Sequence, residues 1–146
     1  MKLALAQINP TVGDLEGNTD RVLEFARRAE AQGADLVVFP ELAISGYPPR
    51  DLVEVDAFLQ GGEAQLQRLA DQTRDLNCGL IVGYAGHDLA AGPRRAGNCA
   101  AYIAAGEVRF RQQKMLLPTY DVFDEQRHFS PATEQSVCEI NGLRVG

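Results

Sequence analysis

A glutamate and a lysine each lie directly after a predicted strand, and both side-chain types can take part in catalysis. Glu41 follows Leu36–Phe39 and Pro40, and open α/β sheets carry functional groups just beyond their strand ends. A carboxylate with apolar walls can act there as a general base; the alternative is a solvated surface glutamate. Lys114 follows another strand-like run and precedes Met115–Pro118. Its ammonium can stabilise an oxyanion or a thiolate, unless it is an ordinary strand-edge lysine whose stem covers apolar surface.

An acidic cluster follows Lys114 and contains Asp121, Asp124 and Glu125. Together with Glu41, these residues can form paired carboxylates or ligands for a hard metal ion. The regular spacing of a metal-binding loop is missing, so we predict no metal site. Tyr47 and Tyr120 lie at equal spacing after Glu41 and Lys114, and they are candidates to line a pocket or simply to pack within loops.

The three cysteines, Cys78, Cys99 and Cys138, are an odd number with long spacings. This pattern argues against a disulfide framework or a zinc site and favours a reducing cytoplasm. Cys138 lies within the predicted strand Ser136–Ile140, whereas a nucleophile is normally displayed at a strand end or sharp turn. We therefore predict a structural role for Cys138, and the same for the other two.

The composition excludes several classes of partner. A net charge of −6 with scattered basic residues makes nucleic acid and anionic membranes poor partners. The sequence has no apolar run of about 18 residues, which a membrane-spanning helix needs. The N-terminal segment has no cleavage site after its short apolar run, so we interpret it as a strand.

Periodicity predicts the elements that carry these residues. Strands are expected at Lys2–Gln7, Leu36–Phe39, Leu80–Gly83, Asn98–Ala104 and Val108–Gln113. The last two are predicted to form an antiparallel hairpin around Gly106, after a loop that contains Gly92-Pro93 and Gly97. One helix is expected from Asn18, its predicted N-terminal cap, to Gly33, and another over Ala57–Asp75. The order strand, helix, strand at the start indicates a parallel βαβ unit. Met115–Phe129 is predicted to be a loop, and Asn141-Gly142 a hairpin turn.

Four stretches together resemble the nitrilase superfamily: LALAQINPTVGDLEGN, ADLVVFPELAISGYPPRDL, RQQKMLLPTYDVFDEQRHF and EINGLRVG. The resemblance implies an α/β fold, the nitrilase-like αββα four-layer sandwich, present here only as its N-terminal part. It also implies a Glu–Lys–Cys triad. Glu41 matches the general base, Lys114 the triad lysine, and Glu125 the second glutamate that orients the lysine and the substrate.

Within the superfamily, GYPPRDL and KMLLPTYDVFDEQRHF resemble the glutaminase domain of glutamine-dependent NAD synthetases. This implies glutamine as substrate, with Tyr47, Tyr120 and Glu125 lining its pocket. It also implies a downstream synthetase domain of the same polypeptide that would hold ATP and Mg²⁺. No cofactor is expected in residues 1–146.

The resemblance also places the nucleophilic cysteine a few residues after Gly146, so we expect the 146-residue chain to be inactive by itself. Two alternatives stay open: a stand-alone amidase of the superfamily, or a truncated, non-catalytic assembly module. Half a sandwich would expose a sheet edge and an apolar face. We therefore expect the chain to form a homo-oligomer, or to be a proteolytic remnant.

Overall fold

The computed structural model describes residues 1–89, 92–121 and 123–146, and no side chain is described for residues 92–95. The described residues form a five-stranded sheet, a two-stranded sheet and three helices. The elements are β1 (Leu3–Leu5), α1 (Leu15–Ala31), β2 (Leu36–Val38), α2 (Asp56–Gln72), β3 (Gly79–Asp88), β4 (Gly92–Ala104), β5 (Glu107–Gln113), α3 (Glu125–His128), β6 (Cys138–Ile140) and β7 (Leu143–Val145), with a 3₁₀ turn at Arg50–Glu54.

The large sheet has the order β1-β2-β3-β4-β5. The first three strands are parallel, with Leu5 opposite Val38 and Val38 opposite Ile81. The strands β3, β4 and β5 continue the sheet as an antiparallel meander. The predicted parallel βαβ unit is therefore confirmed, and so is the predicted hairpin around Gly106. The strands β2 and β5, which precede Glu41 and Lys114, therefore belong to the same sheet.

Both long helices pack on the same face of the sheet. Alternate residues of β3, namely Leu80, Val82 and Tyr84, are fully buried against them, because successive side chains of a strand point to opposite faces. Side chains of α1 and α2 complete this core: Val22, Leu23, Ala26, Leu66, Leu69 and Ala70. None of the helices in the described residues is long and apolar enough to cross a lipid bilayer.

The opposite face of the sheet is open and apolar at β1. Leu3 and Leu5 are 51% and 75% exposed, although both lie in a strand that pairs with β2. Toward β5, the segment before β6 runs beside this face, where Gln112 Nε2 donates to Glu134 O at 3.0 Å and Ser136 N donates to Gln112 Oε1 at 2.9 Å. The described residues thus form one helix layer, one five-stranded sheet and a small second sheet.

Three predicted boundaries are wrong. Helix α1 begins at Leu15 and is capped by Asp14, whose side chain accepts from Gly17 N at 3.0 Å, so Asn18 lies inside the helix and does not cap it. The strands β3 and β4 extend through Gly97, which we predicted to lie in a loop. The predicted loop Met115–Phe129 contains the short helix α3, and the part of the loop at residue 122 lies outside the described residues.

Candidate active site

Glu41 lies in a tight turn that passes over β3. A Cβ atom at Gly83 would lie 2.4 Å from Leu42 N and 2.9 Å from Pro40 O, so only glycine leaves room for this turn. Leu42 has φ of 50°, the left-handed region that side chains other than glycine rarely adopt. After the turn, Ile44 N donates to Gly83 O at 3.1 Å, which ties the backbone of the loop to β3 again. Close approach to β3 therefore fixes the backbone that carries Glu41.

Asn18 anchors the far side of the same loop. Its Nδ2 donates to Thr11 O at 2.7 Å and to Ile44 O at 2.9 Å, and its Oδ1 accepts from Thr11 N at 2.8 Å. The side chain is 2% exposed, so these bonds replace water that the backbone groups have lost. This long-range role explains why Asn18 is part of a helix and not its cap.

Lys114, directly after β5, joins two carboxylates. Its Nζ lies 2.8 Å from Glu41 Oε1 and 3.0 Å from Glu125 Oε2. Glu125 is 4% exposed, Lys114 is 32% exposed and Glu41 is 48% exposed. Burial acts to lower the pKa of Lys114, but the hydrogen bonds to Glu41 and Glu125 outweigh it and raise this pKa above its ordinary value. The lysine is therefore a cation held at the boundary between protein and solvent.

Glu125 is fixed by its neighbours as well as by the lysine. Its Oε1 accepts from Tyr47 Oη at 3.1 Å, and its backbone N donates to Pro118 O at 3.0 Å. Burial is the largest cause that raises the pKa of Tyr47 to about 12, and the hydrogen bond to Glu125 is the second. The phenol therefore keeps its proton at neutral pH. The structure thus brings Glu41, Lys114, Glu125 and Tyr47 into one connected cluster.

Asn98 was missed in the sequence analysis. This residue lies in β4 and is 4% exposed, and its Nδ2 donates to Glu41 Oε1 at 2.6 Å. Its backbone carbonyl accepts from Lys114 N at 2.8 Å. A signal was present, since Asn98 is a lone amide in an otherwise apolar strand run, and buried amides need partners.

Tyr120 lies at the margin of the cluster. It is 69% exposed and borders an open depression together with Lys114. Its ring packs edge-on against Phe123 at 5.7 Å between centroids, and Phe123 in turn lies 6.4 Å from the ring of Tyr47. Tyr120 makes no hydrogen bond to the charged groups within the described part of the chain.

The acidic cluster predicted after Lys114 divides in the structure. Glu125 turns inward, whereas Asp124 faces Arg127 at 3.9 Å with both side chains more than half exposed. Among residues 1–89, 92–121 and 123–146, no three His, Cys, Asp or Glu side chains are grouped so that they could hold a metal ion. The carboxylates of this site are therefore organised around an ammonium.

All three cysteines are free, and Cys78 and Cys99 are buried. Cys99 borders the Glu41 depression but packs in the core beneath the helices, and burial raises the pKa of its thiol to about 12. Cys138 opens β6 opposite Val145 and is half-buried. Neither Cys78 nor Cys99 is poised to act as a nucleophile, because a reactive cysteine is accessible and readily ionised.

The site opens on a depression of about 260 Å³ beside the sheet, lined by Phe39, Pro40, Glu41, Gly83, Asn98 and Lys114, among others. Its walls are mostly apolar, while a carboxylate and an ammonium face each other at one end. A carboxylate next to a cation can accept a proton from an attacking group, and the cation can stabilise a developing oxyanion. This pairing of groups suits nucleophilic acyl transfer.

The family profile described as carbon-nitrogen hydrolase matches residues 2–146, and the chain belongs to this family. It is 42% identical over 146 residues to the glutamine-dependent NAD(+) synthetase of Thermotoga maritima, covering 100% of this chain and 24% of that protein. The chain therefore spans about a quarter of the length of this relative.

Two solved structures extend the comparison. The glutamine-dependent NAD+ synthetase of Acinetobacter baumannii superposes with a TM-score of 0.81 and 31% identity, covering 97% of this chain and 26% of that one. An amidase from Nesterenkonia sp. gives a TM-score of 0.83 and 31% identity, covering 99% of this chain and 53% of that one. A variant of that amidase carries acrylamide added at its active-site cysteine. These similarities confirm the predicted nitrilase-type α/β fold, of which this chain covers a part.

Proposed function

We propose that residues 1–146 form the N-terminal part of a glutaminase domain that hydrolyses the side-chain amide of glutamine. The ammonia would pass to a downstream synthetase domain that converts nicotinic acid adenine dinucleotide, ATP and glutamine to NAD. The observation that carries this proposal is the bridge of Lys114 between Glu41 and the buried Glu125. The similarity to glutamine-dependent NAD synthetases along the whole chain supports glutamine as the substrate.

Each group has a proposed task in this reaction. Glu41 takes the proton of the attacking thiol and later hands it to the departing ammonia. Lys114 stabilises the oxyanion on the amide carbon, which is the position where a preorganised positive charge accelerates acyl transfer most. Glu125 and Tyr47 hold the ammonium in place, and Tyr47, Tyr120 and Glu125 line the glutamine pocket.

The nucleophile is proposed to be a cysteine that follows Gly146, and residues 1–146 alone are proposed to be inactive. The acrylamide adduct at the active-site cysteine of the related amidase supports a thiol as the attacking group. Cys78 and Cys99 are buried in this chain, which argues against a role for either in attack.

The remaining partners are proposed from the same similarity. ATP and Mg²⁺ are proposed to bind in the downstream synthetase domain. Free cysteines support a reducing, cytoplasmic location. The open apolar face at Leu3 and Leu5 supports burial against the rest of the domain and association into a homo-oligomer.

The test is ammonia release from glutamine by the full-length enzyme. Glu41→Gln and Lys114→Ala should each lower kcat by about 10²-fold or more, because each removes a group needed only in the transition state. Glu24→Gln, an exposed change on α1, is the matched control and should leave kcat unchanged. Full activity in either site variant would contradict the assigned roles.

A stand-alone amidase is the second candidate. It is favoured by the Nesterenkonia amidase, which superposes as well as the synthetase while this chain covers 53% of its length. Short aliphatic amides and glutamine should be compared as substrates of the full-length protein. A higher kcat/KM for short amides, together with no NAD formation, would favour the amidase.

A further inference from the structure

The two donors around Glu41 converge on one of its oxygens. Lys114 Nζ and Asn98 Nδ2 both donate to Oε1, at 2.8 and 2.6 Å. Within the part of the chain that the structure describes, Oε2 receives no protein hydrogen bond and Glu41 is 48% exposed. The carboxylate is therefore held at one oxygen and available at the other.

Asn98 is the more rigid of the two donors. It sits in the middle of β4, paired with Ala85 of β3, and 4% of it is exposed. Lys114 has a long flexible stem and is 32% exposed. A short buried amide on a central strand loses little freedom when it makes a hydrogen bond, whereas a lysine loses more. Asn98 therefore defines the direction of the Glu41 carboxylate.

Asn98 also fixes the backbone of Lys114. The carbonyl of Asn98 accepts from Lys114 N at 2.8 Å, directly after the last pair of the β4–β5 ladder, Cys99 with Gln113. One residue thus ties the backbone of the cation and the side chain of the carboxylate to the same strand. A shift at this residue would move both groups.

The amide is neutral, so its donor is present at every pH of interest. An aspartate at the same position would place a second carboxylate against Glu41 and would remove the donor. Like charges at hydrogen-bonding distance disfavour each other, so Asn and Asp, although equal in size, should differ greatly here. Because Asn and Asp fill the same space, a difference between them at position 98 would reflect charge and hydrogen bonding and not packing.

We propose that Asn98 is a positioning residue for amide hydrolysis: it holds Glu41 at Oε1 so that Oε2 takes the proton of the attacking thiol. In this step the S–H bond breaks, an O–H bond forms on Oε2, and the electron pair stays on sulfur as the thiolate. The inference rests on the proposed glutaminase function and assigns a task to a residue outside the Glu–Lys–Cys set.

The first experiment measures kcat and KM for glutamine in the full-length enzyme. Asn98→Ala should lower kcat by roughly 10²-fold, the effect of misplacing a reacting group by about 1 Å, while KM changes by less than about threefold. Thr73→Val is the matched control, because it removes a buried polar group, 3% exposed, at the residue that caps the C-terminus of α2. Wild-type kcat in Asn98→Ala would overturn the inference.

Asn98→Asp covers the case in which Asn98→Ala does not fold. Its kcat/KM should fall off at a higher pH on the acid side than that of the wild type, because the added carboxylate favours the protonated form of the pair. An unchanged pH profile in a folded Asn98→Asp enzyme would overturn the inference.

A measurement without turnover separates this inference from the proposed function. In the full-length protein, the side-chain amide resonance of Asn98 should shift in Glu41→Gln, because the acceptor loses its charge. If this resonance shifts in Glu41→Gln but the wild-type protein releases no ammonia from glutamine, the glutaminase proposal is rejected and the Asn98–Glu41 contact is retained. No shift would reject the positioning role whatever the activity.

Discussion

Replacing Lys114 by methionine removes an ammonium while keeping a side chain of similar length. In the wild type, Nζ lies 3.0 Å from Glu125 Oε2 and 2.8 Å from Glu41 Oε1. Water can replace the lysine at Glu41, which is 48% exposed, but not at Glu125, which is 4% exposed. The substitution therefore leaves one buried carboxylate with Tyr47 as its side-chain donor.

The expected loss of stability follows from these exposures. Removing one partner of a fully buried ion pair costs about 3–5 kcal/mol, and a pair exposed to solvent contributes about 0–1 kcal/mol. Lys114 is 32% exposed and Tyr47 still donates at 3.1 Å, so the effect falls between these limits. We expect Lys114→Met to lower the free energy of unfolding by about 2–3 kcal/mol.

Urea denaturation measures this loss. With a slope of about 2 kcal/mol per molar, the midpoint should fall by roughly 1–1.5 M. Adding Glu125→Gln to Lys114→Met should recover most of the stability, since a neutral amide tolerates burial beside Tyr47 better than a charge does. Arg28→Ala is the control, because the Arg28–Glu24 pair is 60% and 63% exposed and should contribute about 0.5 kcal/mol or less.

A double-mutant cycle on Lys114 and Glu125 tests whether the two residues depend on each other. Lys114→Met could prove no more destabilising than Arg28→Ala. If Glu125→Gln then also changes the free energy of unfolding equally in the wild type and in Lys114→Met, the stability of Glu125 does not depend on Lys114. That result would contradict both the burial of Glu125 and the bridging role of the lysine.

Two further predictions concern residues of β3, Gly83 and His87. Gly83→Ala should destabilise the chain by about 1–3 kcal/mol, because the new methyl meets Leu42 N at 2.4 Å; urea denaturation measures the loss, and a wild-type midpoint would contradict it. His87 faces Asp56 at 2.9 Å and Glu63 at 3.3 Å, and the hydrogen bond to Asp56, against an opposing effect of burial, raises the pKa of His87. A raised folded-state pKa stabilises the chain fully below about pH 6.5 and loses this effect as pH rises through the folded value. The stability difference between wild type and His87→Gln, measured by thermal unfolding, should therefore be larger at about pH 5.5 than at about pH 8.5, and an equal difference at both would refute it.

The sequence predicted the sheet well where local pattern and tertiary environment agree. The apolar run Leu36–Phe39, with two β-branched valines, predicts a buried strand, and Leu36–Val38 forms one. The extent of the β3–β4 hairpin was underestimated because Gly86 and Gly97 look like loop residues. Their missing side chains instead make room, since a Cβ would lie 2.6 Å from Tyr84 at Gly86 and 2.9 Å from Gln113 at Gly97.

The candidate site was predicted in part. Glu41, Lys114 and Glu125 were selected by resemblance and by position after strands, and the structure brings them together. Asn98 was missed because its partner lies 57 residues away, and no local pattern reports such a contact. Asn18 was assigned to a cap for the same reason, since its hydrogen bond to Ile44 spans 26 residues.

The hydrogen bonds of the site also bear on the order in which the chain folds. Glu41 contacts residues 57 and 73 positions away, and Tyr47 contacts one that is 78 positions away. Closing loops of this length costs chain entropy before any contact compensates for it, so such contacts form late. During synthesis, the lysine–carboxylate cluster cannot assemble until the chain has emerged past α3. A nascent or partly folded chain therefore lacks the arrangement of two carboxylates around the ammonium, and this arrangement arises only with the completed sheet.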